Sequence, residues 1–256
     1  LVWQGKLPAS GCFCAPSIIK VAGIDSLESE IFGPVLHVAT YKAGDEDKVI
    51  EAVNASGYGL TFAMHSRIDA NIKTVSEAID VGNVYINRNQ IGAVVGSQPF
   101  GGHGLSGTGP KAGGAAYLRA FTTRPETGTF RNKDEDKLPS QILLPSPSGE
   151  RNSYMVMPRH GKVLVCHPNP KIRESLAQVA NSYGNSVLEA TTIPDSNDFD
   201  VVITHPAHDV DLAALRKALH QSSRRVIPLV TDAGAYVWLQ QEKHICRDMT
   251  ASGGNI

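Results

Sequence analysis

Nine glycines between residues 92 and 114 form the stretch of this 256-residue chain whose composition most suggests chemistry. Glycine at that density suits neither a helix nor a regular strand, so the segment is a shaped loop whose backbone N–H groups can face a ligand. Inside it, Gly102-His103-Gly104-Leu105-Ser106-Gly107 satisfies the spacing of a dinucleotide fingerprint. That fingerprint needs a buried strand before it and a helix directly after it, and here Pro99 precedes and Gly109-Pro110 follows. Gly104 to Lys111 fails as a phosphate loop as well, because Pro110 separates glycine from lysine and Ala112 replaces the required hydroxyl. Cys12, Cys14, Cys166 and Cys246 form no framework of spaced pairs, so reduced thiols are expected. Cys12-Phe13-Cys14 lacks the second pair that zinc requires, and Pro206 breaks any helix that could align His205 with His208. No metal site is predicted.

The elements around this loop follow from apolar spacing. Period two marks strands at 17–22, 35–41, 60–65 and 83–86. Asp45-Glu46-Asp47 opens a helical run through Val49, Ile50 and Val53 that should stop between Asn54 and Gly57. Asp69 is a good N-cap for a second helix through Ile72, Val75 and Ile79, ending at Gly82. Leu118 to Thr122 reads as a short strand. Residues 124–150, rich in charge, proline and serine, read as a linker. Beyond them, apolar runs at 162–166, 199–204 and 226–230 alternate with helical runs at 171–183 and 210–219, the beat of a small parallel α/β module. His167-Pro168-Asn169-Pro170 follows its first strand where a dinucleotide site would need glycines, so this module is not expected to bind one.

Charge excludes several functions. The formal net charge is -1, and the two sides of residue 123 are each nearly neutral, so neither carries a nucleic-acid patch. No uncharged apolar stretch reaches the roughly 18 residues of a membrane span, and the first residues lack a signal-peptide layout. A cytoplasmic protein that binds neither nucleic acid nor membrane is expected. A start at Leu1 suggests a piece of something longer.

Three motifs in order, Glu30-Ile31-Phe32-Gly33-Pro34-Val35, Asn54-Ala55-Ser56-Gly57-Tyr58-Gly59-Leu60, and Pro99-Phe100-Gly101-Gly102 with Ser106-Gly107, resemble the C-terminal third of the aldehyde dehydrogenase superfamily. The fuller run from Val84-Tyr85-Ile86-Asn87-Arg88-Asn89 through Gly92-Ala93-Val94-Val95-Gly96 to Gly107-Thr108-Gly109-Pro110-Lys111-Ala112-Gly113-Gly114 is similar to the L-glutamate γ-semialdehyde dehydrogenase part of the bifunctional bacterial proline utilization A family. A weaker likeness continues in Pro147 to Tyr154 and in Thr250 to Asn255.

The resemblance implies an α/β fold: residues 1–123 as the C-terminal part of the catalytic and oligomerisation region, 124–150 as linker, and 151–256 as a Rossmann-like C-terminal domain. It implies NAD as cofactor, with FAD confined to a proline dehydrogenase part that does not appear in this chain. Glu30 would grip the nicotinamide ribose and Phe32 would pack beside it; the main-chain amides of Gly92 and Ala93 would anchor the substrate's α-carboxylate, and Phe100 would line its aliphatic part. The nucleophile and general base match nothing here, and Cys12 and Cys14 cannot substitute, since nothing beside them lowers a thiol pKa or forms an oxyanion hole. No catalytic residue is assigned, and the chain alone is expected to be inactive. Its partners would be the semialdehyde, upstream domains of the parent and, in the parent, further copies of itself. Thr250 to Asn255 is either a lid over a tunnel or a frayed end; with the lid, Lys243 to Met249 would be extended, docked against a partner subunit or an upstream domain, and partly disordered. The alternative is a stand-alone, catalytically dead assembly or regulatory protein, which would need no cysteine nucleophile encoded ahead of Leu1.

Overall fold

The structure, a computed structural model, describes residues 1–121, 141–147, 149–159, 161–195, 198–206, 210–222, 226–231 and 236–250. Thr122, most of the expected linker, His208 and the expected lid at 251–255 lie outside the described residues. The chain folds as two compact units, Leu1–Gly57 and Tyr58–Ile256.

In the first unit, β1 (Trp3–Gln4) pairs antiparallel with β2 (Ser17–Lys20), which runs parallel to β3 (Val35–Val38). Both predicted strands are therefore present, though shorter than their apolar runs. α1 (Glu46–Ala55) carries Glu46 and Asp47 in its first turn and buries Ile50. It stops where expected, at Ser56 and a left-handed Gly57 (φ 76°).

The second unit begins with β4 (Tyr58–Gly59) and β5 (Thr61–Met64), then α2 (Asp69–Ala78) and the fully buried β6 (Asn83–Ile86), parallel to β5. Asp69 opens α2 rather than capping it: Ile68 holds the N-cap, and the Asp69 carboxylate accepts a hydrogen bond from Arg247 Nη2 at 2.7 Å. The pattern of glycines resolves into loop structure with one two-residue strand, β7 (His103–Gly104), paired antiparallel with β4. No helix follows, so the fingerprint spacing has no helix N-terminus to serve. Leu118–Phe121 is a 3-10 turn and not the expected strand.

Composition hides the next elements. β8 (Gln141–Leu144) lies inside the expected linker, and β9 (Glu150–Pro158) follows it. The module then runs β10 (Lys162–Cys166), α3 (Pro170–Ser182), β11 (Val187–Ala190), β12 (Phe199–Ile203), α4 (Leu212–Ser222), β13 (Leu229–Val230), α5 (Tyr236–Leu239) and β14 (Gln240–Asp248). Its four parallel strands are ordered β11-β10-β12-β13. Alternation along β10 sends Val163 and Val165 to the face holding Leu176 and Ala180 of α3, and Leu164 and Cys166 to the face holding Leu219 of α4. Helices on both faces of a parallel sheet make this the Rossmann-like module that the alternation predicts. Asn169 caps α3, its Oδ1 accepting from Lys171 N at 2.9 Å with Pro170 at the first helical position.

β14 does not stay with the module. It inserts between β6, to which it is parallel, and β9, to which it is antiparallel, giving a five-stranded sheet β5-β6-β14-β9-β8. This revises the expected division at 123 and 150, because strands from both sides share one sheet. It also revises the expectation for Lys243 to Met249. That segment is extended and docked, but on its own chain, with His244 opposite Asn83 and Cys246 opposite Tyr85.

Candidate functional site

Period two along β14 separates two functions. Lys243, on one face, is fully buried, and its Nζ donates to the carbonyls of Ser76 at 2.8 Å and Ile79 at 2.6 Å, satisfying the C-terminal end of α2. Burial lowers the Lys243 ammonium to about 8, against the pull of Asp80 and Glu77. The opposite face presents Glu242, His244 and Cys246 beside Asn83 and Tyr85 of β6 and Glu150, Asn152 and Tyr154 of β9. Such a row of polar side chains would be costly inside a protein unless every group were bonded. The glycine-rich loop supplies part of those bonds and the neighbouring strands supply others.

Asn83 Nδ2 donates to Pro99 O at 2.9 Å, and its Oδ1 accepts from Lys111 Nζ at 2.7 Å and Gly101 N at 3.3 Å. Lys111 Nζ also donates to Gly101 O, while Lys111 N donates to Glu242 Oε2 at 2.6 Å. Lys111 is only 2% exposed, and burial pushes its ammonium down to about 7 despite the Glu242 carboxylate. Tyr154 OH donates to the other oxygen of Glu242, and burial first, then that carboxylate, raises its pKa well above the ordinary phenol value. His244 Nε2 donates to Asn152 Oδ1 at 3.1 Å, and Nδ1 faces Asn83 Nδ2 at 3.4 Å. Burial, with Lys111 and Arg88 nearby, drops His244 to about 4. His103 joins the network through Asp80 Oδ1 at 2.8 Å and Glu242 O at 3.1 Å. Gly82 is required by close approach: a Cβ there would lie 1.8 Å from Gly101 O.

Ahead of this network the chain makes an exposed turn from Asn89 to Gly96. Asn89 Oδ1 accepts from Ile91 N at 3.0 Å, and Gln98 Oε1 accepts from Val94 N at 3.2 Å. Gly92, left-handed at φ 72°, and Ala93 lie between these two clamped amides. Among the described residues no acceptor bonds the N–H of Gly92 or Ala93. Phe100 is half-buried and held on both sides by Ala112, with N to Ala112 O at 3.0 Å and Phe100 O to Ala112 N at 2.9 Å. The three substrate residues expected from sequence therefore share one loop.

Glu30 and Phe32 belong to the other unit, on the loop leading into β3. Both are exposed, Phe32 at 88%. An exposed carboxylate two residues from an exposed ring fits the ribose end of a dinucleotide, since the acid can accept from two hydroxyls and the ring offers an apolar face. Among the described residues no glycine-rich turn opens a helix to take its pyrophosphate, and no group of three His, Cys, Asp or Glu side chains could hold a metal. Cys12 and Cys14 are exposed and free.

Lys111 fails as a phosphate-loop lysine by its spacing; its burial shows a structural role that spacing does not reveal. Gln98, His244 and Cys246 carry no sequence signal, because each gains its role from side chains more than fifty residues away.

Over residues 1–125, which hold the glycine loop, the Gly92–Ala93 amide pair and the Glu30–Phe32 loop, the chain matches the model of the aldehyde dehydrogenase family. It is similar to the bifunctional protein PutA of Klebsiella aerogenes, 41% identical over 213 residues, which cover 66% of this chain and 16% of that protein. The 1-pyrroline-5-carboxylate dehydrogenase of Geobacillus sp. (strain WCH70) is 46% identical over 114 residues, 43% of this chain and 21% of that enzyme. The structure of proline utilization A from Corynebacterium freiburgense matches 97% of this chain and 29% of its own, with a TM-score of 0.74 at 22% identity, a likeness of fold. The chain spans 15 to 17% of the length of the curated PutA relatives it matches.

Proposed function

We propose that this chain is the substrate-anchoring part of an NAD-dependent L-glutamate γ-semialdehyde (1-pyrroline-5-carboxylate) dehydrogenase of proline catabolism. The observation that carries this reading is the Gly92–Ala93 amide pair, held open between two neighbours whose own N–H groups are already bonded. Two adjacent backbone donors suit a carboxylate. Gly92 and Ala93 hold the substrate's α-carboxylate, and Phe100 lies along its methylenes. Glu30 and Phe32 hold and orient the nicotinamide ribose; NAD, when bound, supplies the hydride acceptor. Nucleophile and general base come from residues outside this chain, as does any FAD-dependent proline oxidation. The enzyme works in the cytoplasm as a homo-oligomer. Residues 1–123 serve catalysis together with β8, β9 and β14, which complete their sheet, and the strands and helices from 162 to 230 form the Rossmann-like module.

Ala93→Pro tests the anchor in the full-length enzyme, because proline deletes one donor. The expected outcome is a kcat/KM for glutamate semialdehyde that falls about tenfold or more relative to a neutral aldehyde of similar length. Equal losses on both substrates would refute the anchor.

A further inference from the structure

The clamp on the anchor loop is assembled from parts of the chain far apart in sequence. Gln98, 3% exposed, uses both ends of its carboxamide: Oε1 accepts from Val94 N at 3.2 Å, and Nε2 donates to Glu150 Oε2 at 3.3 Å and approaches Cys246 Sγ at 3.5 Å. A flipped amide would set its NH2 against the Val94 N–H and its carbonyl against a carboxylate, two repulsive contacts in a buried place. Glu150 therefore decides which way Gln98 points, and Gln98 decides where the Val94 amide lies.

Glu150 is itself held. Its Oε1 is ion-paired with Arg88 Nη1, and its Oε2 lies 3.5 Å from Asn152 Nδ2. Arg88, stacked 5.3 Å over the Tyr85 ring, also donates from Nε to Asn89 O at 3.3 Å. Asn89 clamps the other side of the anchor through Ile91 N. One Arg88–Glu150 pair thus reaches both flanks of Gly92-Ala93. Cys246 contributes no thiolate chemistry here, since burial, reinforced by Glu150, pushes its thiol up to about 11.

We infer that Gln98, oriented by Glu150 of β9, is a specificity-determining positioning residue that sets the Gly92–Ala93 amides for a carboxylate-bearing aldehyde. Neither side chain touches the substrate. The inference rests on the carboxylate-anchor reading above, and it makes the strand supplied from beyond residue 150 part of substrate selection.

The test is a charge swap in the full-length enzyme. Gln98→Glu sets a buried carboxylate against the half-buried carboxylate of Glu150. The ratio of kcat/KM for glutamate semialdehyde to that for butanal should fall about tenfold, and exchange of the Val94 amide should accelerate. The double variant Q98E/E150Q again faces a donor with an acceptor, and should bring the ratio back to within about threefold of the parent. Should Q98E not fold, Glu150→Ala removes the acceptor without repulsion and should lower the ratio about fivefold. A ratio unmoved by Q98E or by E150A overturns the inference, as does a double variant no better than Q98E. Ala93→Pro separates the two ideas. If it is selective while these variants leave the ratio unmoved, the anchor stands and the positioning role falls; if it is unselective, the anchor itself fails.

Discussion

Acidification should loosen the sheet at His244. The imidazole is fully buried, with Nε2–H given to Asn152 Oδ1 at 3.1 Å and Nδ1 facing the Asn83 amide nitrogen at 3.4 Å. That geometry suits the neutral ring, since a proton on Nδ1 would meet an N–H donor and add a charge near Lys111 and Arg88. The folded-state pKa, about 4, lies below the ordinary imidazole value of 6.5. The unfolded chain therefore binds more protons between those two values, and stability is full above about pH 6.5 and falls as pH drops toward 4. The linkage relation puts the loss at about 2 kcal/mol at pH 5 and about 3 kcal/mol at pH 4, a large part of the 5–15 kcal/mol typical of a folded domain. Urea unfolding of the 256-residue chain from pH 8 to pH 4, beside His244→Gln, isolates this contribution, because the other titrating groups are common to both proteins. The variant is expected to be less stable at pH 8, and its deficit should shrink by about 3 kcal/mol by pH 4. A difference that stays constant across that range would refute the reasoning.

Three further outcomes are expected. Lys243→Met, which leaves the Ser76 and Ile79 carbonyls without their buried donor, should cost about 2–4 kcal/mol in urea unfolding and speed amide exchange at the end of α2. Gly82→Ala should lower stability by at least about 2 kcal/mol and raise hydrogen exchange over residues 98–114, since its Cβ cannot coexist with Gly101 O; thermal unfolding with exchange mass spectrometry reads both. In the full-length enzyme, Glu30→Gln should lower kcat/KM for NAD about tenfold or more through loss of charge-assisted hydrogen bonds, and an unchanged value would remove Glu30 from the cofactor site.

Local order decided much of this protein. The apolar alternation of β2, β3 and β6, the acidic start of α1 and its glycine stop, and the strand–helix beat from Lys162 to Val230 depend on neighbours a few residues apart, so they are legible along the chain. The same holds for the loop with its nine glycines, and for Gly92, Ala93 and Phe100 upon it. Asp69 is a good capping residue that stands one position inside its helix, and four residues such as Leu118 to Phe121 suit a 3-10 turn as well as a strand.

β14 was illegible for a different reason. Gln240-Gln241-Glu242-Lys243-His244-Ile245-Cys246 shows no apolar period, yet most of it is buried, because its polar side chains meet partners from α2, β6, β9 and the glycine loop. Hydropathy can register only what a residue would prefer against water; whether a buried lysine or histidine is satisfied depends on groups that come together only after the chain has folded. Sequence alone therefore determined which loop carries the candidate chemistry. Tertiary structure decided what holds that loop in place, a strand arriving from the far end of the chain.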